Sequence, residues 1–433
     1  MSASAFLKAS ITSWLTSEFK LNMKRRRAEF GRRFARRGHE VLYFHRADDP
    51  YCQLMVQVLP DLADRFDVVI KPFVVERLPA NMYPDPARFE AYSILDASKL
   101  ARLYGLGFPE SARVPDRLSV GMANRYLASM QDDPNFFGIA EEVGAILWRQ
   151  DVAGIKRLCA SADIKESTLS DNEKLLTSLG HYASGVVYYE GEFYAGLDRL
   201  DHLERRLNQF GIGDGEIHFE LTKLWRHGLE NLEKSVAGRT VEVFFSVRSP
   251  YSYLGLNMIS EFADLSGVHL KLKPVLPMLM RGMAVPAAKR KYILFDTIRE
   301  ARQENIPFGR IVDPLGAATK RAMAIGFSLL EEEIGTGQDM ALPFFKAFTR
   351  GVWAEGIDGT TDKGLEKILV NAGLPANKLK SALDENIWQE KADKNRQEML
   401  MYGSWGVPTF RAGGETLWGQ DRLWAIAEAL RQD

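Results

Sequence analysis

A stretch of this chain occurs twice. Phe44…Asp49-Pro50-Tyr51-Cys52…Leu54…Ala63-Asp64 matches Phe244…Ser249-Pro250-Tyr251-Ser252…Leu254…Ala263-Asp264 at a constant offset of 200 residues. Lys71-Pro72 then matches Lys273-Pro274 after a small insertion. The far ends match too. Gly185-Val186-Val187 pairs with Gly406-Val407-Pro408. Gly191-Glu192 followed by Gly196-Leu197-Asp198-Arg199-Leu200 pairs with Gly414-Glu415 followed by Gly419-Gln420-Asp421-Arg422-Leu423. A repeat this long restricts the 433 residues to two copies of one domain, each within the ordinary size range.

The clearest local signal lies in the second copy. Val241-Glu242-Val243-Phe244-Phe245 reads as a buried strand, and Leu254, Met258, Ile259 and Phe262 recur at helical spacing. Pro250 suits the first helical turn, where a missing N–H costs nothing. Ser249 is therefore expected where a strand ends and a helix begins, beside the positive end of the helix dipole. A thiolate is stabilised at such a place.

The first copy reads as strand 40–45, helix 51–65 and strand 67–75, a helical stretch to about 180, a hairpin near 185–190 and 192–195, and a helix from about 197. The second reads as strand 240–246, helix 251–265, strand 268–275, helices over about 287–402, strands near 408–411 and 415–418, and helix 420–431. The expected architecture is α/β: two tandem thioredoxin-like domains, each with a helical insertion. Residues 1–38 form a basic helical arm, 39–212 the first domain, 213–238 a connecting segment helical over 216–236, and 239–433 the second domain. Gly211-Ile212-Gly213-Asp214-Gly215 lacks dinucleotide-fingerprint spacing and reads as a hinge.

Charge and cysteine content exclude several classes. The net charge is −1, so nothing global points to nucleic acid. No apolar run approaches the roughly 18 residues of a membrane span. Cys52 and Cys159 are the only cysteines and form no CxxC, which fits a reducing, cytoplasmic setting. No Cys/His cluster has metal-ligand spacing, and His218 and His227 are not at i, i+4, so no metal site is expected. The second copy holds one histidine, His269, on a strand away from Ser249, which leaves a Ser-His-Asp triad unsupported. The arm is the exception to the neutral balance: residues 1–38 carry ten Lys/Arg and two Glu, about +8. It reads either as a basic helix packed on the body or as a weak contact for a membrane surface or another anionic partner.

The ordered set Ser249-Pro250-Tyr251-Ser252-Tyr253-Leu254, Lys289-Arg290-Lys291-Tyr292, Ile306-Pro307-Phe308, Val352-Trp353-Ala354-Glu355-Gly356-Ile357, Gly406-Val407-Pro408-Thr409 and Gly419-Gln420-Asp421-Arg422 resembles the kappa-class glutathione transferases and the 2-hydroxychromene-2-carboxylate isomerases. Both are DsbA-like thioredoxin folds, and the likeness spans about 240–431. The resemblance implies glutathione as cofactor, with the Ser249 hydroxyl donating to its thiolate. It implies a cis bond at Val407-Pro408 whose flanking backbone pairs with the peptide-like part of glutathione. Gln420 and Asp421 then face its γ-glutamyl end, and Lys289 its glycine end. Tyr251, Tyr292, Trp353 and Trp418 are the candidates for an apolar pocket, and each is equally at home in core packing. Taken alone, Ser249 and Asp421 are also ordinary helix-start residues, and Lys289 an ordinary surface lysine.

The first copy departs where it matters. Asp49 stands in place of Ser249 and Val187 in place of Pro408 by the matching above, while Cys52 takes the second redox position without a partner. A carboxylate repels a thiolate, so this copy is expected not to use glutathione and to act as an intramolecular equivalent of a dimer partner, the alternative being a distinct binding site using Asp49 and Cys52. The expected function is a glutathione-dependent isomerase or transferase acting on a small aromatic or conjugated electrophile. Two alternatives stand beside it: a non-catalytic two-domain scaffold, and a thiol–disulfide oxidoreductase, which the missing CxxC disfavours.

Overall fold

The computed structural model describes residues 3–160, 166–221, 224–226 and 236–432. They divide into two compact units, Lys24–Glu220 and Met1–Met23 with Leu221–Asp433. The basic arm is thus not a body of its own: its first 23 residues belong with the second unit and the rest with the first. The arm comprises helices α1 (Ala3–Leu15) and α2 (Glu18–Phe34).

The first unit opens with β1 (Glu40–His45), α3 (Pro50–Phe66) and β2 (Val69–Val74). Helices α4 to α8 follow: Pro86–Tyr104, Arg117–Ser129, Phe136–Trp148, Val152–Cys159 and Glu166–Leu179. The hairpin β3 (Val186–Tyr189) and β4 (Glu192–Ala195) leads into α9 (Leu200–Asn208). The sheet order is β2-β1-β3-β4, with β1 parallel to β2 and antiparallel to β3. Residues 216–220, expected to be helical, are not, while Leu221 and 224–226 are; the remainder of the expected connecting helix, His227 included, lies outside the described residues.

The second unit repeats the plan with β5 (Thr240–Phe245), α10 (Pro250–Ser266) and β6 (His269–Pro274). Its insertion holds α11 to α15: Ala287–Gln303, Ala317–Thr336, Ala341–Arg350, Asp362–Asn371 and Glu385–Met401. It closes with β7 (Thr409–Ala412), β8 (Glu415–Trp418) and α16 (Leu423–Gln432). The sheet order β6-β5-β7-β8 and its strand senses are those of the first sheet. Residues 241–245 of β5 are all buried, so this run is apolar but for Glu242, which is paired with Lys271 and Arg411. Pro72 and Pro274 are tolerated because β2 and β6 are edge strands.

Strand register corrects two of the sequence matches. β1 pairs Phe44 with Phe73, and β5 pairs Phe244 with Lys273, so the offset of 200 runs unbroken through β2 and β6 and no insertion intervenes. β1 pairs Phe44 with Val186, and β5 pairs Phe244 with Thr409. Gly185, not Val187, therefore holds the place of Pro408. The hairpin closures agree: Gly196 N–H donates to Gly185 O at 2.7 Å, and Gly419 N–H to Pro408 O at 2.9 Å. Both mismatches are slips of two residues. A slip of two keeps every side chain on its face of the sheet, so the alternation of the sequence cannot reveal it.

Candidate functional site

Ser249 is the N-cap of α10. Its backbone is extended, its hydroxyl accepts from Ser252 N–H at 3.1 Å, Pro250 opens the helix, and Gly267 closes it in the left-handed conformation. The same hydroxyl donates to Val407 O at 3.3 Å. Ser249 thus joins the helix terminus to the loop carrying the Val407-Pro408 bond, which is cis. The approach to Ser249 is held at several points. Ser246 N–H donates to the buried Ser252 hydroxyl at 3.2 Å, and Arg248 forms a two-pronged ion pair with Asp313 at 2.8 Å. The Trp353 indole N–H donates to Val247 O at 3.3 Å. These contacts tie down the backbone that leads into Ser249.

Gln420 and Asp421 lie in the short 3₁₀ turn Gln420–Arg422 that leads into α16 and packs on α10. Gln420 is 2% exposed, and its side-chain amide nitrogen has no hydrogen-bond partner among the described residues. An orphan buried donor costs free energy unless something accepts from it. Asp421 is 9% exposed and sits 3.3 Å from the Arg422 guanidinium. Lys289, in the first turn of α11, is half-buried, and burial pulls its ammonium down to about 8.

The pocket candidates separate. Tyr251 and Tyr292 meet on one carboxylate: Tyr251 OH donates to Asp296 Oδ2 at 2.7 Å, and Tyr292 OH approaches Oδ1 at 3.5 Å. Trp418 packs on Trp405 at 5.0 Å and lies so close to Gly406 that a Cβ there would stand 2.5 Å from the indole nitrogen. Trp353 is buried in a π-helical turn, stacked on Phe308 at 5.8 Å, and belongs to the packing that anchors Val247. His269 lines a cleft of about 380 Å³ with Ser260, Glu333, Gln338 and Leu342, and that cleft contains none of the candidate site residues.

Asp296 is the shared partner of two candidate residues, and sequence reasoning missed it. It is 1% exposed and also accepts from Arg299 at 2.6 Å. A signal was present: Tyr51 OH donates to Asp96 Oδ2 at 2.8 Å, so the Tyr–Asp pair recurs at the offset of 200. Both aspartates fall in the helical stretches, where a carboxylate looks like surface until its burial is known.

The first unit inverts the chemistry at the matching positions. Asp49 caps α3 by accepting from Tyr51 N–H at 3.0 Å, and its second oxygen accepts from the Ser184 hydroxyl at 2.6 Å. Ser249 donates to the loop opposite it; Asp49 accepts from its own. Burial raises the Asp49 carboxyl. Cys52 Sγ accepts from Arg46 N–H at 3.3 Å, and burial pushes its thiol well up, which keeps it protonated and unreactive. Among the described residues no group of three or more His, Cys, Asp or Glu is placed to hold a metal.

Residues 240–431 match the family model of the DSBA-like thioredoxin domain. The second half of the chain carries a DSBA-like thioredoxin domain. Glutathione S-transferase kappa 1 of Rattus norvegicus is 26% identical over 207 residues, 45% of this chain and 92% of that protein. The 2-hydroxychromene-2-carboxylate isomerase of Pseudomonas putida is 25% identical over 198 residues, 44% of this chain and 93% of that protein. A solved 2-hydroxychromene-2-carboxylate isomerase is matched at 24% identity over 45% of this chain and 95% of its own, with a TM-score of 0.36. Residues 240–431 contain no cysteine, so this domain has no dithiol to oxidise. Among the described residues no helix is long and apolar enough to cross a membrane.

Proposed function

We propose that the DSBA-like domain binds glutathione and uses it to isomerise or conjugate a small aromatic or conjugated electrophile. The observation that carries this reading is the Ser249 hydroxyl, held at the α10 N-terminus and donating toward the cis-proline loop. The residues present fit the tripeptide. The orphan amide of Gln420 suits its γ-glutamyl carboxylate, Asp421 its ammonium, and Lys289 its glycine carboxylate. When bound, glutathione supplies a thiolate that adds to a conjugated carbon; expulsion of the sulfur after bond rotation isomerises the substrate, and retention transfers it.

Ser249 gives up a long bond to Val407 O and turns its proton toward the sulfur, keeping its cap to Ser252. A hydroxyl donating to an anion makes one of the stronger classes of hydrogen bond, and the helix dipole adds to it. Tyr251 and Tyr292, tied through Asp296, form a polar edge for the second substrate. The first unit has no donor at Asp49 and keeps the fold without the thiolate site, which supports a supporting role for it.

Calorimetric titration of the full chain with glutathione tests the reading. One site per chain is expected, weakened about tenfold or more in Gln420→Leu and unchanged in Asp49→Ala. Two sites, or no binding, would overturn it.

A further inference from the structure

Helix α2 has two faces with different work. One is tied to the β3–β4 hairpin. Lys24 Nζ donates to Gly191 O at 2.6 Å, and Arg25 forms a two-pronged pair with Glu192 at 2.8 Å. Glu29, 11% exposed, is engaged by Arg32 and Arg33. The other face carries Arg26, Arg27, Phe30, Arg33 and Phe34, all exposed. Phe30 is 72% and Phe34 84% exposed, and their rings stack on each other at 6.3 Å. At about 100° per residue the two rings fall within about 40° of one another, with Arg26 and Arg33 on one flank and Arg27 on the other. Met23 and Phe19, 50% and 73% exposed, precede them on the same stripe of the helix. Neither glutamate of α2 falls on it: at helical spacing Glu18 and Glu29 lie well away from the rings.

Exposed phenylalanines gain nothing from water, and a helix held down by its opposite face does not need them for folding. Aromatic side chains flanked by guanidiniums, of which Arg33 also reaches Glu29 at the rim of the face, suit a surface that offers an apolar layer beneath an anionic one. We propose that this face of α2 docks on the surface of an anionic lipid bilayer, with Phe30 and Phe34 entering the headgroup–acyl boundary and Arg26, Arg27 and Arg33 on lipid phosphates. Charge complementarity selects this occupant. Residues 1–38 carry about +8 while the whole chain carries −1, so the attraction is confined to the arm. A nucleic-acid duplex would answer the arginines and leave the paired rings in water.

Flotation of the full chain with vesicles tests the proposal. Binding is expected to phosphatidylcholine vesicles containing phosphatidylserine and not to phosphatidylcholine alone, and it should weaken with salt. Replacing all three arginines (Arg26→Gln, Arg27→Gln, Arg33→Gln) should lower partitioning on the order of 100-fold, since each basic side chain near the surface contributes about fivefold. Phe30→Ser with Phe34→Ser should weaken binding at unchanged charge. In Phe30→Trp the new indole emission should shift to the blue on anionic vesicles. Glutamine is a good helix former, so the arginine variants should unfold like the parent. Absence of binding to anionic vesicles at low salt, equal binding to neutral ones, or binding to an oligonucleotide with none to vesicles would overturn the proposal.

Discussion

Replacing Ser249 by alanine removes two interactions with different readouts. The hydroxyl caps α10 by accepting from Ser252 N–H at 3.1 Å, and loss of an N-cap costs about 1 kcal/mol of stability. Its proton, now on Val407 O at 3.3 Å, is the one offered to the glutathione sulfur. A hydrogen bond to a charged group contributes about 1.5–3 kcal/mol, and one pKa unit corresponds to about 1.36 kcal/mol, so the bound thiol should rise by about 1–2 units. At neutral pH the thiolate fraction, and turnover with it, should fall roughly 10- to 100-fold, and activity should recover at higher pH. Glutathione affinity measured below the thiol pKa should hardly change, because the hydroxyl favours the ionised form. Ser249→Asp separates the two roles. Aspartate caps a helix as Asp49 does, with Tyr51 N–H at 3.0 Å, but brings an acceptor where a donor is required. It should keep the unfolding midpoint and raise the thiol pKa at least as far as alanine does. Thiolate ultraviolet absorbance against pH measures the shift. A lower unfolding midpoint in Ser249→Ala with an unchanged titration curve would refute the reasoning and leave Ser249 a cap alone.

Burial pulls Lys289 down to about 8, so a carboxylate held by it should be released as pH rises through that value. Affinity for S-methylglutathione, which has no thiol to ionise, should fall across that range more steeply in the parent chain than in Lys289→Met, where only the ligand's own amino group still titrates; parallel curves would remove Lys289 from the site. Burial also depresses His45 from 6.5 to about 3, so it is neutral when folded. Its contribution is complete above 6.5 and is lost as pH falls toward 3, at about 1.4 kcal/mol per pH unit, because only the unfolded chain takes the proton in that window. His45→Gln should flatten the acid limb of the first unit's stability curve, read by denaturant unfolding at several pH values. Asp296→Ala removes the buried carboxylate on which Arg299 and two tyrosine hydroxyls converge and should cost about 3–5 kcal/mol, against about 1 kcal/mol for Tyr251→Phe. Equal losses in denaturant unfolding would show that Asp296 is not the shared anchor.

Features that depend on neighbours along the chain were legible in the sequence. The Ser249-Pro250 helix start, the strand–helix–strand opening of each copy and the closing hairpins involve contacts a few residues apart, where residue type and spacing carry the information. The repeat itself announced two similar sheets. Three things needed the tertiary structure. Register between β1 and β3 joins residues over a hundred positions apart, and a slip of two preserves the alternation, so only the observed pairing shows that Gly185 holds the place of Pro408. The burial of Asp296 depends on which face of α11 meets α10. The unpartnered amide of Gln420 depends on every group around it, and the absence of a partner is a property of three-dimensional packing that no local pattern encodes.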